Sequence, residues 1–157
     1  MTSGKVVSLH LHPVEAGAPL SAVDFIEVVA GKGIKGNPRK FDRPSKRTGQ
    51  PTKRQVSLIE REQLAEHAEA LGHPGFAPGD ARANVETEGI ELVKLAGQQA
   101  QIGTAVLFFY EPRKPCHKMD ALEPGLRERM ENDRQGVMAQ VVQSGAIRVG
   151  DAITPLP

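Results

Sequence analysis

The feature that most limits how this chain can fold is the brevity of its apolar runs. Almost every one is stopped within a few residues by glycine or proline, of which the 157-residue chain holds 16 and 12. Such punctuation favours short strands joined by turns over long helices. Val6 to His12 alternates, with Val7, Leu9 and Leu11 on one face and Ser8, His10 and His12 on the other, before Pro13 ends it. Val23 to Ala30, Gln55 to Ile59, Ala83 to Thr87, Ile90 to Leu95 and Thr104 to Tyr110 read as further strands, the last with Val106, Phe108 and Tyr110 sharing a face. Val137 to Gln143 and Ala146 to Ile153 read as a closing hairpin around Ser144-Gly145. Helical spacing occurs twice. Leu64, Ala68 and Leu71 fall on one side of Glu60 to Leu71, and Leu122, Leu126 and Met130 on one side of a second segment with Pro124 in its first turn. Strands and helices do not alternate one for one, so the pattern predicts a mainly β fold, a barrel with α insertions, rather than a doubly wound sheet. Aromatic residues are 4% of the chain and tryptophan is absent, so the core must be built from Val, Ile, Leu and Ala. The length fits one domain, residues 1–157.

Charge narrows the partners. Lys+Arg number 20 and Asp+Glu 19, a balance that speaks against nucleic acid or an anionic membrane as the main partner. The distribution is uneven: Arg39 to Arg54 holds seven basic residues against one acid, Asp42. With Gly36, Pro38, Pro44, Gly49 and Pro51 in or beside it, the segment reads as a long mobile basic loop, either solvated or an anion-binding lid. Only Phe41 could stack a base there. The amino-terminal residues lack a signal-peptide pattern, no run reaches the ~20 apolar residues of a membrane span, and a single cysteine makes no internal disulfide. These features predict a cytoplasmic protein.

That cysteine, Cys116, stands in Arg113-Lys114-Pro115-Cys116-His117-Lys118. A thiolate, not a thiol, attacks carbon or sulfur and ligates metals, and cationic neighbours favour it. On local sequence alone, Cys116 reads equally well as a small buried hydrophobe. His10 and His12 have the i, i+2 spacing of a chelating pair. No third ligand stands nearby, and the polar face of a strand explains them as well. His67 and His73 read as surface residues without a role. Gly31, Gly33 and Gly36 are only faintly like a phosphate loop, since no helix follows.

The order of these pieces resembles the MOSC domain, found at the C-terminus of molybdenum-cofactor sulfurases and as small stand-alone proteins. The resemblance rests on Gly33-x-x-Gly36, Arg54-Gln55-Val56-Ser57-Leu58-Ile59, and Pro78-Gly79-Asp80-Ala81-Arg82-Ala83-Asn84-Val85-x-Thr87-x-Gly89-Ile90. It continues through Gly103, Arg113-x-Pro115-Cys116 and Gly145-x-Ile147-x-x-Gly150-Asp151. It implies a β-barrel-like fold with two or more short helices and a pocket containing the cysteine. It further implies molybdenum cofactor (molybdopterin) as the ligand, with Cys116 as catalytic residue and metal or sulfur ligand. Arg54, Arg82, Asn84, Thr87 and Arg113 would hold the pterin and its phosphate. Stand-alone relatives are similar to reductases of N-hydroxylated compounds, which implies an electron-transfer or sulfur-donor protein as partner. A non-enzymatic sulfur or cofactor carrier and a cofactor-free anion-binding barrel are the alternatives. Two departures stand out. Relatives often carry an acid after the Gly33-x-x-Gly36 turn, where this chain has Asn37-Pro38-Arg39, and Gly-Glu-Asn where it has Asp80-Ala81-Arg82-Ala83-Asn84. No pyridoxal-phosphate domain of the sulfurase type is found in these residues, so release of sulfur from cysteine is not expected of them.

Overall fold

In a computed structural model, residues 3–38 and 40–157 are described. Arg39, part of the basic loop, lies outside the described residues. The strands are β1 (Gly4–Leu11), β2 (Ser21–Val23), β3 (Phe25–Val29), β4 (Gly33–Ile34), β5 (Val56–Glu60), β6 (Val85–Glu88), β7 (Gln99–Ile102), β8 (Ala105–Pro112), β9 (Val137–Gln143), β10 (Gly145–Arg148) and β11 (Ala152–Pro155). Three short helices accompany them: α1 (Arg61–Leu71), α2 (His117–Leu122) and α3 (Leu126–Arg129).

Seven strands close a barrel in the order β11-β7-β8-β9-β5-β6-β1, with β1 pairing back to β11. Closure leaves no unpaired edge in the ring. The one parallel neighbour pair is β5 with β6. Parallel neighbours need a crossover, and α1 supplies it. β2 pairs with the end of β1, and β3, β4 and β10 form a separate three-stranded sheet. As composition requires, the main core is aliphatic. Val6, Leu9, Val56, Leu58, Val85, Leu107, Val137 and Ile153 fill the barrel around Phe109. Ile26, Val28, Ile34 and Ile147 of the small sheet join them. A second core lies outside the barrel wall, where Ile59, Leu64, Ala68, Met119, Leu126 and Met130 pack the helices against β5. β5 is thus covered on both faces, and all five of its residues are buried.

The structure corrects several expectations. The closing hairpin does not form. β9 already has β8 on one side and β5 on the other, so no edge remains for the strand that follows. The chain leaves at Ser144, whose Oγ accepts from the Ala30 amide. β10 then pairs with β3, and β11 returns to β7 and β1. Ile90 to Leu95 is not a strand: Leu92–Leu95 form a 3-10 turn that buries both leucines. Their i, i+3 spacing is the 3-10 period. Val23 to Ala30 splits at Asp24 into β2 and β3. A bulge between Val6 and Ser8 breaks the alternation in β1, so Val6 and Leu9 are the deeply buried pair rather than Val7 and Leu9. The second helix is two. Glu123, ahead of Pro124, is extended, and Gly125 takes a positive φ of 91° before α3 begins. Val106, Phe108 and Tyr110 do share a face, but the fully buried face of β8 is Ala105, Leu107 and Phe109. β7 escapes a hydropathy reading because its exposed side carries Gln99 and Gln101. His67 is buried, not a surface residue. Its Nε2 donates to the Arg134 carbonyl at 2.9 Å and its Nδ1 accepts from Arg129 Nε at 3.3 Å. Burial holds its pKa below the usual value, which keeps this neutral tautomer.

Gly136 shows how tightly β9 must approach β5. It has φ 82°, and an added Cβ would collide with the Leu58 carbonyl. Its own carbonyl accepts from the Arg113 amide at 3.0 Å. Gly136→Ala is therefore expected to cost roughly 2–4 kcal/mol, through left-handed strain and backbone displacement together. Urea unfolding at equilibrium measures it; a change below about 0.5 kcal/mol would contradict this packing.

Candidate functional site

At one end of the barrel β1 stops and β5 and β6 start, and across β9 the last residue of β8, Pro112, lies level with Leu58 of β5, so residues far apart in sequence meet around one opening. His12 follows β1, Arg54 and Gln55 precede β5, Asn84 precedes β6, and Arg113 follows β8. An inner hollow of about 80 Å³ opens into an outer one of about 210 Å³, and His12, Lys40, Arg54, Arg82 and Arg113 line both. The outer part also reaches Lys114, Cys116, Lys118 and Gln135.

Asn84 organises the floor. Its Oδ1 accepts from the Ser57 amide and hydroxyl, both at 3.1 Å, and its Nδ2 donates to the His10 carbonyl at 3.0 Å. The second Nδ2 proton faces His12 Nδ1 at 3.2 Å. Asn37 Oδ1 holds His12 from the other side, accepting from its amide at 2.8 Å. Arg82 is set in place by strain: its φ is 61°, in the left-handed region that side chains avoid. The turn before it is fixed by Glu86, a fully buried carboxylate that accepts from the Gly79 amide at 2.7 Å and pairs with Arg61 at 2.8 Å. The Arg82 guanidinium donates to the Ala18 carbonyl at 3.0 Å, and that of Arg113 to the Ala81 carbonyl at 3.3 Å.

Lys40, Arg54, Arg82, Arg113, Lys114 and Lys118 line this cleft, and among the described residues no carboxylate does. Burial, aided by the charge of Arg54 and opposed by Cys116, lowers the Arg113 pKa to about 10, which leaves it cationic at neutral pH. His12 is pushed down to about 4, first by burial and then by Lys40, with Asn37 opposing and Arg82 and Arg113 adding to the shift. It is therefore a neutral imidazole among cations. Two buried polar atoms on these walls lack a partner among the described residues, Asn37 Nδ2 and Gln135 Oε1. Such orphans are rare unless a ligand or water satisfies them. Cys116 sits just before α2 with its thiol exposed. Among the described residues no three His, Cys, Asp or Glu side chains cluster as a metal cage.

Five residues singled out in the sequence thus converge: Arg54, Arg82, Asn84, Arg113 and Cys116. Thr87 does not. It is fully buried on β6, with its hydroxyl 3.5 Å from the Ile59 carbonyl. Asn37, Lys40, Gln55, Ser57 and Gln135 are not legible in the sequence as site residues, because the fold alone brings them to the two hollows. His10 and His12 do not form a chelating pair, since His10 is buried with Nδ1 on the Ala83 carbonyl.

A larger hollow of about 690 Å³ lies at the opposite end of the barrel, beside Glu60, Glu62, Glu66 and Glu91. Its lining carries no thiol and is mainly acidic, with Lys94 as its one cation among the described residues. Burial raises the Glu60 pKa to about 7, against the hydrogen bond from the Leu92 amide. The exposed thiol and the cluster of cations make the other end the candidate site.

Comparison with known proteins shows the family and the fold. The family model described as MOSC domain matches residues 32–154. Solved structures with the same fold include the YuaD protein from Bacillus subtilis, with TM-score 0.78 and 22% identity over 98% of this chain and 97% of that one. They also include YiiM from Geobacillus stearothermophilus, with TM-score 0.74 and 18% identity over 98% and 75% of the two chains. YiiM from Escherichia coli follows at 0.69 and 17%, over 100% and 70%. No curated protein matches in sequence.

The depressed His12 pKa has a signed consequence. Below its ordinary value of 6.5 the unfolded chain takes up a proton that the folded chain refuses until about pH 4, so stability falls as pH drops through that window. His67 acts in the same direction and Glu60 in the opposite one, so the wild type must be compared with His12→Gln. Between pH 7 and 4.5 the wild type is expected to lose on the order of 2 kcal/mol more than the variant in urea unfolding. Parallel pH profiles would show that His12 titrates normally.

Proposed function

Because the chain belongs to the MOSC domain family, we propose that its cationic cleft binds molybdenum cofactor with Cys116 as metal ligand, and that the protein is a small reductase of N-hydroxylated compounds. The observation that carries this reading is that, among the described residues, six cations and no carboxylate surround one exposed thiol. The donor set fits such a group. A phosphate-bearing pterin needs guanidinium forks, which Arg54, Arg82 and Arg113 provide. Its ring edge needs neutral donors and acceptors, which the partnerless Asn37 Nδ2 and Gln135 Oε1 would supply. A soft thiolate suits a transition metal. Cys116 gives one ligand only, so a metal held here would bring its remaining ligands with it.

When bound, the cofactor would supply the two-electron chemistry that no side chain here can provide. The protein's part is electrostatic and positional. Arg54, Arg82 and Arg113 would hold the anionic end, and Cys116 would anchor the metal at the mouth, where an N-hydroxylated substrate and an electron-donating protein can both reach it. His12, neutral and fixed by Asn37 and Asn84, would offer a hydrogen bond without adding to the positive charge. A carrier that takes sulfur on Cys116 and delivers it to a partner is a second reading, favoured by the exposure of the thiol.

Expression in a host that makes the cofactor tests both. The wild type should carry close to stoichiometric molybdenum and Cys116→Ser only background; equal, negligible metal in the two would end the cofactor reading. Reductive turnover of an N-hydroxylated base with an artificial electron donor identifies the reductase. Gain of one sulfur on Cys116 after incubation with a cysteine desulfurase, without turnover, identifies the carrier.

A further inference from the structure

We infer that the cationic cleft continues past Arg54 into a second anion subsite under the basic loop, so that the site takes a ligand with two linked phosphates, a diphosphate ester, rather than a single phosphate. This extension rests on the anion-binding reading of the cleft.

Arg54 lines the inner hollow, the outer hollow and a further one of about 740 Å³. The basic loop forms one wall of the third hollow and β8 the other. The loop is folded rather than an open tether. Pro44 and Pro51 bridge, the Ser45 amide donates to the Gln50 carbonyl at 2.7 Å, and the Thr52 amide donates to the Arg43 carbonyl at 2.8 Å. This places Arg47, Thr48 and Lys53 on the lining beside Arg54. Hydroxyl oxygens of Ser45, Thr48 and Thr52 each accept a backbone N–H, at 3.3, 3.3 and 3.2 Å. With the oxygen so engaged, each hydroxyl proton is left to donate elsewhere. Opposite them stands Tyr110, whose hydroxyl is out of solvent reach and has no partner among the described residues. Burial, with Glu111 adding and Arg54 opposing, raises its pKa to about 12, so it remains a donor at any ordinary pH. Glu111 is the one carboxylate in the lining, against Arg47, Lys53 and Arg54.

The shared wall decides the ligand class. Among the described residues the Arg54 guanidinium has no hydrogen-bond or ion-pair partner, and it borders both subsites. One planar fork can hold oxygens of two phosphates when these are joined through a single bridging oxygen. Anionic groups separated by a longer spacer would not meet on it.

Calorimetric titration of the full chain with orthophosphate and with pyrophosphate tests the inference. Wild type is expected to bind pyrophosphate about tenfold tighter than orthophosphate. The Arg47→Ala/Lys53→Ala double variant, altered only on the loop surface, should lose most of that advantage while keeping its orthophosphate affinity and its melting temperature. Tyr110→Phe should weaken pyrophosphate alone. Equal wild-type affinities, or an advantage that survives the double variant, would overturn the second subsite while leaving the cleft reading intact. Binding of neither anion by wild type would overturn the cleft reading itself, and this inference with it.

Discussion

Everything at the functional end depends on one side chain, Asn84. It lies where the single parallel pair of the barrel, β5 with β6, meets β1. Parallel strands enter a sheet from the same end, so the starts of β5 and β6 leave backbone groups at the barrel mouth that no hairpin turn can satisfy. Asn84 fills that role through Ser57 and His10, and its backbone carbonyl accepts from the His10 amide at 2.8 Å. Leu or Val of similar size would leave several buried polar atoms unpaired, at about 1–3 kcal/mol each. The same contacts orient His12. Stability and site geometry therefore share their hydrogen bonds.

On that floor the barrel supports an unbalanced electrostatic load. The chain as a whole carries only +1, yet its cations gather at one mouth and several carboxylates at the other. A pair of like charges about 4 Å apart repels by roughly 4 kcal/mol at the dielectric of a protein surface, and less as the separation grows. The fold tolerates this by anchoring the guanidinium groups on carbonyls of Ala18 and Ala81 and by keeping His12 neutral. An anion bound in the cleft, as proposed, would turn this repulsion into attraction. The left-handed Arg82, held by the buried Arg61–Glu86 pair, belongs to the same device.

How much of this was legible in the sequence follows from which interactions are local. Strands β5, β8 and β9 and helix α1 declare themselves through alternation or helical spacing, because their periodicity is set within a few residues. The cluster around Cys116 is local too. The closing hairpin was misread because Ser144-Gly145 looks like a turn, while the information that β9 has no free edge resides in β5 and β8. His67 was misread because the groups that bury it and bond it, Arg129 and the Arg134 carbonyl, lie more than sixty residues away in sequence. Thr87 was placed in the site through the motif that contains Asn84. Three residues further along β6 the chain has already left the mouth. Arg82 shows the reverse: nothing in its neighbourhood foretells a left-handed backbone, which is imposed by Glu86 and Gly79.

Asn37, where the resemblance to the family leads one to expect an acid, can now be read physically. A carboxylate at this position would neutralise one cation and accept from His12. The amide keeps the acceptor, since Oδ1 still binds the His12 backbone at 2.8 Å, but it presents Nδ2 as an extra donor and leaves the cationic charge whole. Relative to an acid-bearing cleft, this one should favour more highly charged ligands and disfavour neutral or cationic ones. A carboxylate would also hold His12 protonated to higher pH; with Asn37, burial prevails and the imidazole stays neutral. An amide at this one position thus leaves both the cationic charge of the cleft and the neutrality of His12 undisturbed.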